Sequence, residues 1–139
     1  MRPIFADTFY YLALTSRNDA FHGRAVSLAQ NLRVPVLTTA WVITELADAL
    51  AGTHRRGAFL LLLEGIRNDP DVTVLEPEAS LYEEGLALYA QRPDKDWSLT
   101  DCISFVAMHR WGLAAALTAD QHFQQAGYRA LLLEDGGEI

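Results

Sequence analysis

Four acidic residues of this sequence have the types and positions that metal chemistry needs. Asp7 and Asp120 directly follow short apolar runs, Glu45 lies within a helical pattern, and Asp101 lies in the first turn of another. Two carboxylates about 4 Å apart repel by about 4 kcal/mol at an effective dielectric constant of 20, so a cluster of acids must take up protons or bind cations. Carboxylates without convergent His or Cys favour Mg²⁺ or Mn²⁺, and such a site is typical of phosphodiester hydrolysis.

The segments that must position these acids alternate between strand and helix patterns. We predict strands at 3–6, 34–38, 72–75, 115–118 and 130–133, and helices at 8–16, 20–32, 40–51, 57–68, 78–91, 99–110 and 120–126. The alternation predicts an α/β fold, a three-layer α/β/α sandwich around a small, mostly parallel sheet. Ligands of such folds bind beyond the carboxyl ends of the strands, where Asp7 and Asp120 are expected.

Each acid also has a purely structural interpretation. Asp7 and Asp120 are good N-caps for the helices that follow them. Ser98 and Asp101 have the spacing of a capping box, and Glu45 is compatible with an ordinary helix surface. The predicted helix at 57–68 contains four consecutive leucines, which predicts that much of its surface is buried.

Composition limits the class of protein. The chain has 139 residues, half of them apolar and 21% charged, so we expect residues 1–139 to form one domain with its own core. Apolar runs are too short to span a bilayer, and the acidic Asp7 interrupts any leader-like start. The lone Cys102 cannot form an internal disulfide, which fits a reducing cytoplasm. The net charge of -7 argues against nucleic-acid binding unless bound metal ions reverse the sign of one pocket.

Four segments of the sequence resemble the PIN-domain ribonucleases, specifically the VapC-type toxins of bacterial toxin–antitoxin pairs. The segments are 4–8, 38–46, 96–105 and 117–123, so the resemblance extends over most of the chain. The family pattern is an early Asp after the first strand, a Glu in a later helix and two Asp near the C-terminus. These positions correspond to Asp7, Glu45, Asp101 and Asp120.

The resemblance implies a PIN-like fold and a Mg²⁺- or Mn²⁺-dependent endoribonuclease. It also implies a homodimer, an RNA substrate and a small antitoxin partner. In this interpretation Asp7, Glu45 and Asp101 hold the first metal ion directly or through water, and Asp120 completes the pocket or helps to hold a second ion. Three hydroxyl side chains could orient these carboxylates, namely Thr8, Ser98 and Thr118.

Other polar residues have two interpretations. One basic turn consists of His54, Arg55 and Arg56. It either contacts RNA phosphates or is an ordinary solvated helix end. Near the proposed cleft, Phe123 is expected in the core and His122 on the rim.

Alternative functions remain at this stage. The chain could be a catalytically silent PIN-like module that binds metal or protein, or an interaction module that uses the apolar helix around 60–63. A haloacid-dehalogenase phosphatase is disfavoured because Asp7-Thr8-Phe9 lacks the second acid of that motif. A receiver domain is disfavoured because the only lysine, Lys95, lies in a predicted loop.

Overall fold

A computed structural model describes residues 2–134 of the chain. Helices and strands alternate through this range as follows: β1 Ile4–Ala6, α1 Thr8–Thr15, α2 His22–Asn31, β2 Val36–Thr39, α3 Ala40–Ala49, α4 Arg56–Asn68, β3 Val72–Leu75, α5 Ala79–Gln91, α6 Leu99–Trp111, β4 Ala115–Leu117, α7 Gln121–Gln125, β5 Arg129–Ala130 and a 3₁₀ turn at Leu131–Leu133. Among these residues, no helix is both long and apolar enough to cross a membrane.

The strands form one parallel sheet in the order β3-β2-β1-β4-β5. Phe5 of β1 pairs with Leu37 of β2 on one side and with Ala116 of β4 on the other. The strand order reverses between β1 and β4, and ligands of open parallel sheets bind at such a switch point. The predicted α/β sandwich with a small parallel sheet is confirmed.

An aromatic cluster joins β1, α6 and α7. The ring of Phe123 lies edge-on to Phe105, with centroids 4.9 Å apart, and also contacts Phe5 at 6.3 Å. Phe123 has no exposed surface, as the sequence predicts for a core residue. Because Phe123 is anchored in this way, the short helix α7 is held in place against the end of the sheet.

Close packing of α5 against α6 fixes the helix that carries Asp101. A Cβ atom built on Gly85 would lie 2.4 Å from Cγ1 of Ile103, so only glycine allows this approach. Helix α6 ends at Gly112, which adopts a left-handed conformation with φ of 66°. Glycine is the usual residue at this position because it has no Cβ to clash.

Two sequence predictions about the elements are wrong. Helix α4 is not buried over much of its surface: Ile66 is buried, whereas Leu60 and Leu61 are 60% and 72% exposed. The last strand ends at Ala130, and Leu131–Leu133 form a 3₁₀ turn. That turn leaves the ladder because the Leu132 N–H donates to the Thr118 carbonyl, which lies beyond the end of β4.

Candidate metal centre

The ends of β1 and β4 bring Asp7 and Asp120 to the same edge of the sheet. The Thr118 hydroxyl donates a 2.9 Å hydrogen bond to Oδ2 of Asp7. The same hydroxyl accepts a 3.0 Å hydrogen bond from the backbone N–H of Asp120. Thr118 therefore joins the two acids, which is the orienting role that the sequence suggested for it.

Asp7 is a buried carboxylate that does not cap a helix. It occupies the N-cap position of α1, but its side chain makes no capping hydrogen bond, so the capping interpretation is wrong. Burial raises the pKa of Asp7 to about 7, and the negative charges of Asp101 and Glu45 add to this rise, whereas the Thr118 hydroxyl opposes it. The carboxyl group therefore holds a proton for part of the time at neutral pH.

Asp101 is buried at the N-terminus of α6, where it completes a capping box. Its backbone N–H donates to Oγ of Ser98 at 3.0 Å, and its Oδ2 accepts from the Ser98 N–H at 3.1 Å. Burial raises the pKa of Asp101, and the charge of Asp120 adds to the rise. Capping leaves other lone pairs of the carboxylate available, so this structural role is compatible with binding an ion.

His122 lies between Asp101 and Asp120. Its Nδ1 atom is 3.1 Å from Oδ2 of Asp101 and 3.4 Å from Oδ1 of Asp120. Asp120 also caps α7 by accepting a 2.9 Å hydrogen bond from the backbone N–H of His122. Within residues 2–134, these three are the group of acidic, His or Cys side chains whose ligand atoms all lie within 4.8 Å of one another.

This position corrects two expectations from the sequence. The sequence predicts that His122 lies on the rim and that the acids lack a convergent histidine, yet the His122 imidazole contacts both carboxylates. The feature of the sequence that could have predicted the position of His122 is the N-cap at Asp120. Capping draws the backbone N–H two residues later toward the carboxylate, and the His122 side chain starts from that same residue.

Glu45 approaches the group from the half-buried face of α3. Burial raises its pKa, and Asp101, Asp120 and Asp48 raise it further through their charges. The Thr8 hydroxyl lies near enough to lower this pKa. That hydroxyl is nevertheless buried without a hydrogen bond of normal geometry to any residue the structure describes.

These observations fit a divalent cation. All four predicted acids interact electrostatically, although the tight three-residue group contains only Asp101 and Asp120. Asp7 and Glu45 flank that group. The raised pKa values of Asp7, Glu45 and Asp101, the oxygen donors and the unsatisfied hydroxyl of Thr8 are all features that a bound ion with its waters would satisfy.

In the described part of the chain, the basic turn makes no direct polar contact with this group. His54, Arg55 and Arg56 are exposed where α4 begins, and within residues 2–134 none of them makes an ion pair or hydrogen bond to the four acids.

Cys102 follows Asp101 in α6 and is buried. Burial raises the pKa of its thiol to about 11, which argues against a nucleophilic role.

Comparison with known proteins identifies the fold. No protein-family model and no curated protein matches the sequence. Among solved structures, VapC20 of Mycobacterium tuberculosis superposes with a TM-score of 0.82 at 28% identity, over 90% of this chain and 95% of that chain. The fold is that of the PIN-domain toxins. VapC20 is described as a toxin that cleaves the sarcin–ricin loop, and VapC toxins are ribonucleases of toxin–antitoxin systems.

Two more distant structures share the PIN-domain fold. FitAcB of Neisseria gonorrhoeae has a TM-score of 0.65 at 19% identity, over 91% of this chain and 95% of that one. VapBC2 of Rickettsia felis, solved with a DNA fragment from its promoter, has a TM-score of 0.64 at 10% identity over the same shares. The family resemblance inferred from the sequence is confirmed by the likeness to VapC20, and these two structures agree with its fold.

Proposed function

We propose that this chain is a divalent-metal-dependent endoribonuclease that acts in the cytoplasm as the toxin of a toxin–antitoxin pair. The observation that carries the proposal is the gathering of acids at the switch point between β1 and β4. It stands in a fold shared with a ribonuclease toxin over 90% of the chain. An acidic protein can bind a polyanion at such a point because the metal ion reverses the local charge.

The residues proposed to hold the ion are Asp101 and Asp120, with Asp7 and Glu45 binding directly or through water. The donor set suits Mg²⁺ or Mn²⁺. When bound, such an ion supplies an acidified water and offsets the charge on the phosphate oxygens during hydrolysis. Asp120 is thus proposed as a member of the central pair, a larger part than the sequence suggested for it.

Neighbouring residues of the chain orient these carboxylates, and the burial of Asp7 sets the pH at which it loses its proton. Thr118 fixes Oδ2 of Asp7, and Ser98 fixes Oδ2 of Asp101. Asp7 holds a proton near neutral pH, and this proton must leave before the carboxylate can bind a cation. We therefore expect the affinity for the ion to rise with pH through about 7, the pKa of Asp7.

We propose RNA as the substrate and a small antitoxin as the partner of a homodimeric toxin. The exposed turn of His54, Arg55 and Arg56 would contact RNA phosphates away from the metal centre. The exposed Leu60 and Leu61 of α4 form an apolar strip, and such strips usually mark contact with another protein. We expect the antitoxin to cover this strip.

Cleavage of an RNA panel by the purified chain tests the proposal. We expect cleavage with Mg²⁺ or Mn²⁺, none with EDTA, and at least a hundredfold loss in Asp101→Asn. Asparagine keeps an oxygen that can accept the capping hydrogen bond, so the variant removes charge with little effect on the helix. The exposed Glu64→Gln is the matched control and should cleave as the wild type does.

Two outcomes would count against this function. Cleavage that persists in EDTA would exclude the metal mechanism. Binding of Mg²⁺ or Mn²⁺ without cleavage of any RNA in the panel would favour a catalytically silent metal- or protein-binding module. A rise in melting temperature on adding the metal alone would measure that binding.

A further inference from the structure

We propose that His122 is a nitrogen ligand of the metal centre and makes the site select Mn²⁺ over Mg²⁺. The idea rests on the proposed function, because it assigns a residue to the same centre. It goes further by adding a ligand of different chemistry and by predicting which ion the site prefers.

The spacing of three atoms supports direct binding. Nδ1 of His122 lies 3.1 Å from Oδ2 of Asp101 and 3.4 Å from Oδ1 of Asp120. Ligand atoms about 2.1 Å from a common ion are about 3.0 Å apart in octahedral and about 3.4 Å apart in tetrahedral geometry. The imidazole nitrogen is therefore at the distance from each carboxylate oxygen that neighbouring ligands of one ion would have, and the ligand atoms of all three residues lie within 4.8 Å of one another.

The fold holds the imidazole in this position. The backbone N–H of His122 is tied to the Asp120 carboxylate at 2.9 Å. The next residue, Phe123, is fully buried between Phe105 and Phe5. The His122 side chain itself is only 24% exposed. A ring constrained on both sides loses little entropy on binding an ion.

The buried Thr8 hydroxyl gives separate support for an ion or an ion-bound water beside the acids. The Thr8 hydroxyl is 6% exposed and has no hydrogen-bond partner among residues 2–134. Thr8 follows Asp7 in sequence, and Glu45 lies close enough for a weak interaction that falls short of a hydrogen bond of normal geometry, so the hydroxyl borders the acidic group. A buried hydroxyl is rarely left unpaired, and water bound to an ion would satisfy it.

The nitrogen ligand determines the preference between ions. Mg²⁺ is a hard cation that binds oxygen and keeps its waters. Imidazole nitrogen binds divalent transition-metal ions more readily, so replacing one oxygen ligand by nitrogen shifts selectivity away from Mg²⁺. Mn²⁺ is the transition-metal ion that also suits the carboxylates of Asp101 and Asp120.

Pulsed electron paramagnetic resonance on the full chain loaded with Mn²⁺ tests this ligand directly. With ¹⁵N-labelled histidine, we expect a ¹⁵N coupling to Mn²⁺ in the wild type, which requires no variant to fold. Calorimetric titrations with Mn²⁺ and Mg²⁺ then give the affinity ratio. In His122→Asn, which places an oxygen near the same point, we expect the coupling to vanish and the Mn²⁺/Mg²⁺ ratio to fall about tenfold or more.

The exposed His109→Asn is the matched control and should keep both the coupling and the ratio. Absence of ¹⁵N coupling in the Mn²⁺-loaded wild type would overturn the assignment, as would an unchanged ratio in a folded His122→Asn protein. Failure of the proposed function is distinguishable. If the protein cleaves RNA but shows no ¹⁵N coupling, the assignment of His122 as a ligand is wrong and the proposed function stands. If the ¹⁵N coupling is present but no RNA is cleaved, the proposed nuclease function is wrong and the assignment of His122 stands.

Discussion

Asp7 has the most strongly raised pKa of the acids at the centre, so its charge is costly to the metal-free protein. Its carboxyl group moves from an ordinary pKa of 3.8 to about 7 on folding. Each unit of that change corresponds to about 1.4 kcal/mol. In Asp7→Asn we therefore expect the metal-free protein at pH 8 to gain up to about 4 kcal/mol in free energy of unfolding, while RNA cleavage is lost.

Urea denaturation in EDTA measures the gain. The exposed Asp48→Asn serves as the control, since it removes from α3 a carboxylate whose charge acts on Glu45, without removing a buried charge. An Asp7→Asn protein that is no more stable than the wild type at pH 8 would contradict the burial argument.

The same residue predicts how stability depends on pH. Between about pH 4 and pH 7 the folded chain keeps the Asp7 proton while the unfolded chain has lost it. Folding is therefore favoured at the acidic end of this window, and the contribution of Asp7 to stability falls as pH rises, then levels off above about 7. The difference in melting temperature between wild type and Asp7→Asn, recorded in EDTA from pH 4 to 8, should widen across the window. A constant difference would refute the raised pKa.

At the scale of elements, the contact between α5 and α6 positions the helix that carries Asp101. Gly85→Ala would drive a methyl group to 2.4 Å from the Ile103 side chain. We expect a loss of about 1–3 kcal/mol in the free energy of unfolding because overpacking displaces α6. Gly65→Ala in α4 meets nothing within 4 Å and should instead gain about 0.5–1 kcal/mol. Chemical denaturation of both proteins checks the pair, and equal effects would contradict the packing argument.

The capping box at the start of α6 stabilises the helix and also orients Asp101, a proposed ligand of the metal ion. Ser98→Ala removes the hydroxyl that accepts the Asp101 N–H, and we expect a cost of about 0.5–2 kcal/mol. Metal affinity should also fall because the chain segment that orients Asp101 is loosened. Ser27→Ala, at an exposed position of α2, should change neither quantity. Calorimetry with Mn²⁺ and urea denaturation together decide the outcome.

Periodicity predicted most elements because most of them have a regular apolar pattern. Strands β1 and β3 and helices α1, α5 and α6 lie within one or two residues of their predicted positions. The burial of α4 could not be predicted, since a run of leucines looks the same whether it meets the core or an exposed strip. Asp7 and Asp120 were identifiable because each directly follows an apolar run, and Glu45 and Asp101 because of the family resemblance. His122 was not, because its role depends on the capped turn of a five-residue helix.

At the scale of the whole molecule, the net charge of -7 predicts that RNA binding depends on the bound cation. Fluorescence anisotropy with labelled RNA should show binding in Ca²⁺ and at least a tenfold weaker affinity in EDTA. Raising KCl from about 50 to about 200 mM should weaken the Ca²⁺ complex by less than about 20-fold, because only the short basic turn of His54, Arg55 and Arg56 is proposed to contact phosphates. A steeper salt dependence would reveal a basic surface that the charge distribution does not predict.

The hydrogen bond between Thr118 and Asp7 joins residues 111 positions apart in the chain. During synthesis on the ribosome, the N-terminal acid emerges long before its hydroxyl partner and the strand that carries it. A nascent polypeptide therefore lacks this hydrogen bond until β4 and Thr118 have been made, and a product truncated before β4 would never form it. The topology thus delays assembly of the acidic group until strands β1 and β4 have both been synthesised.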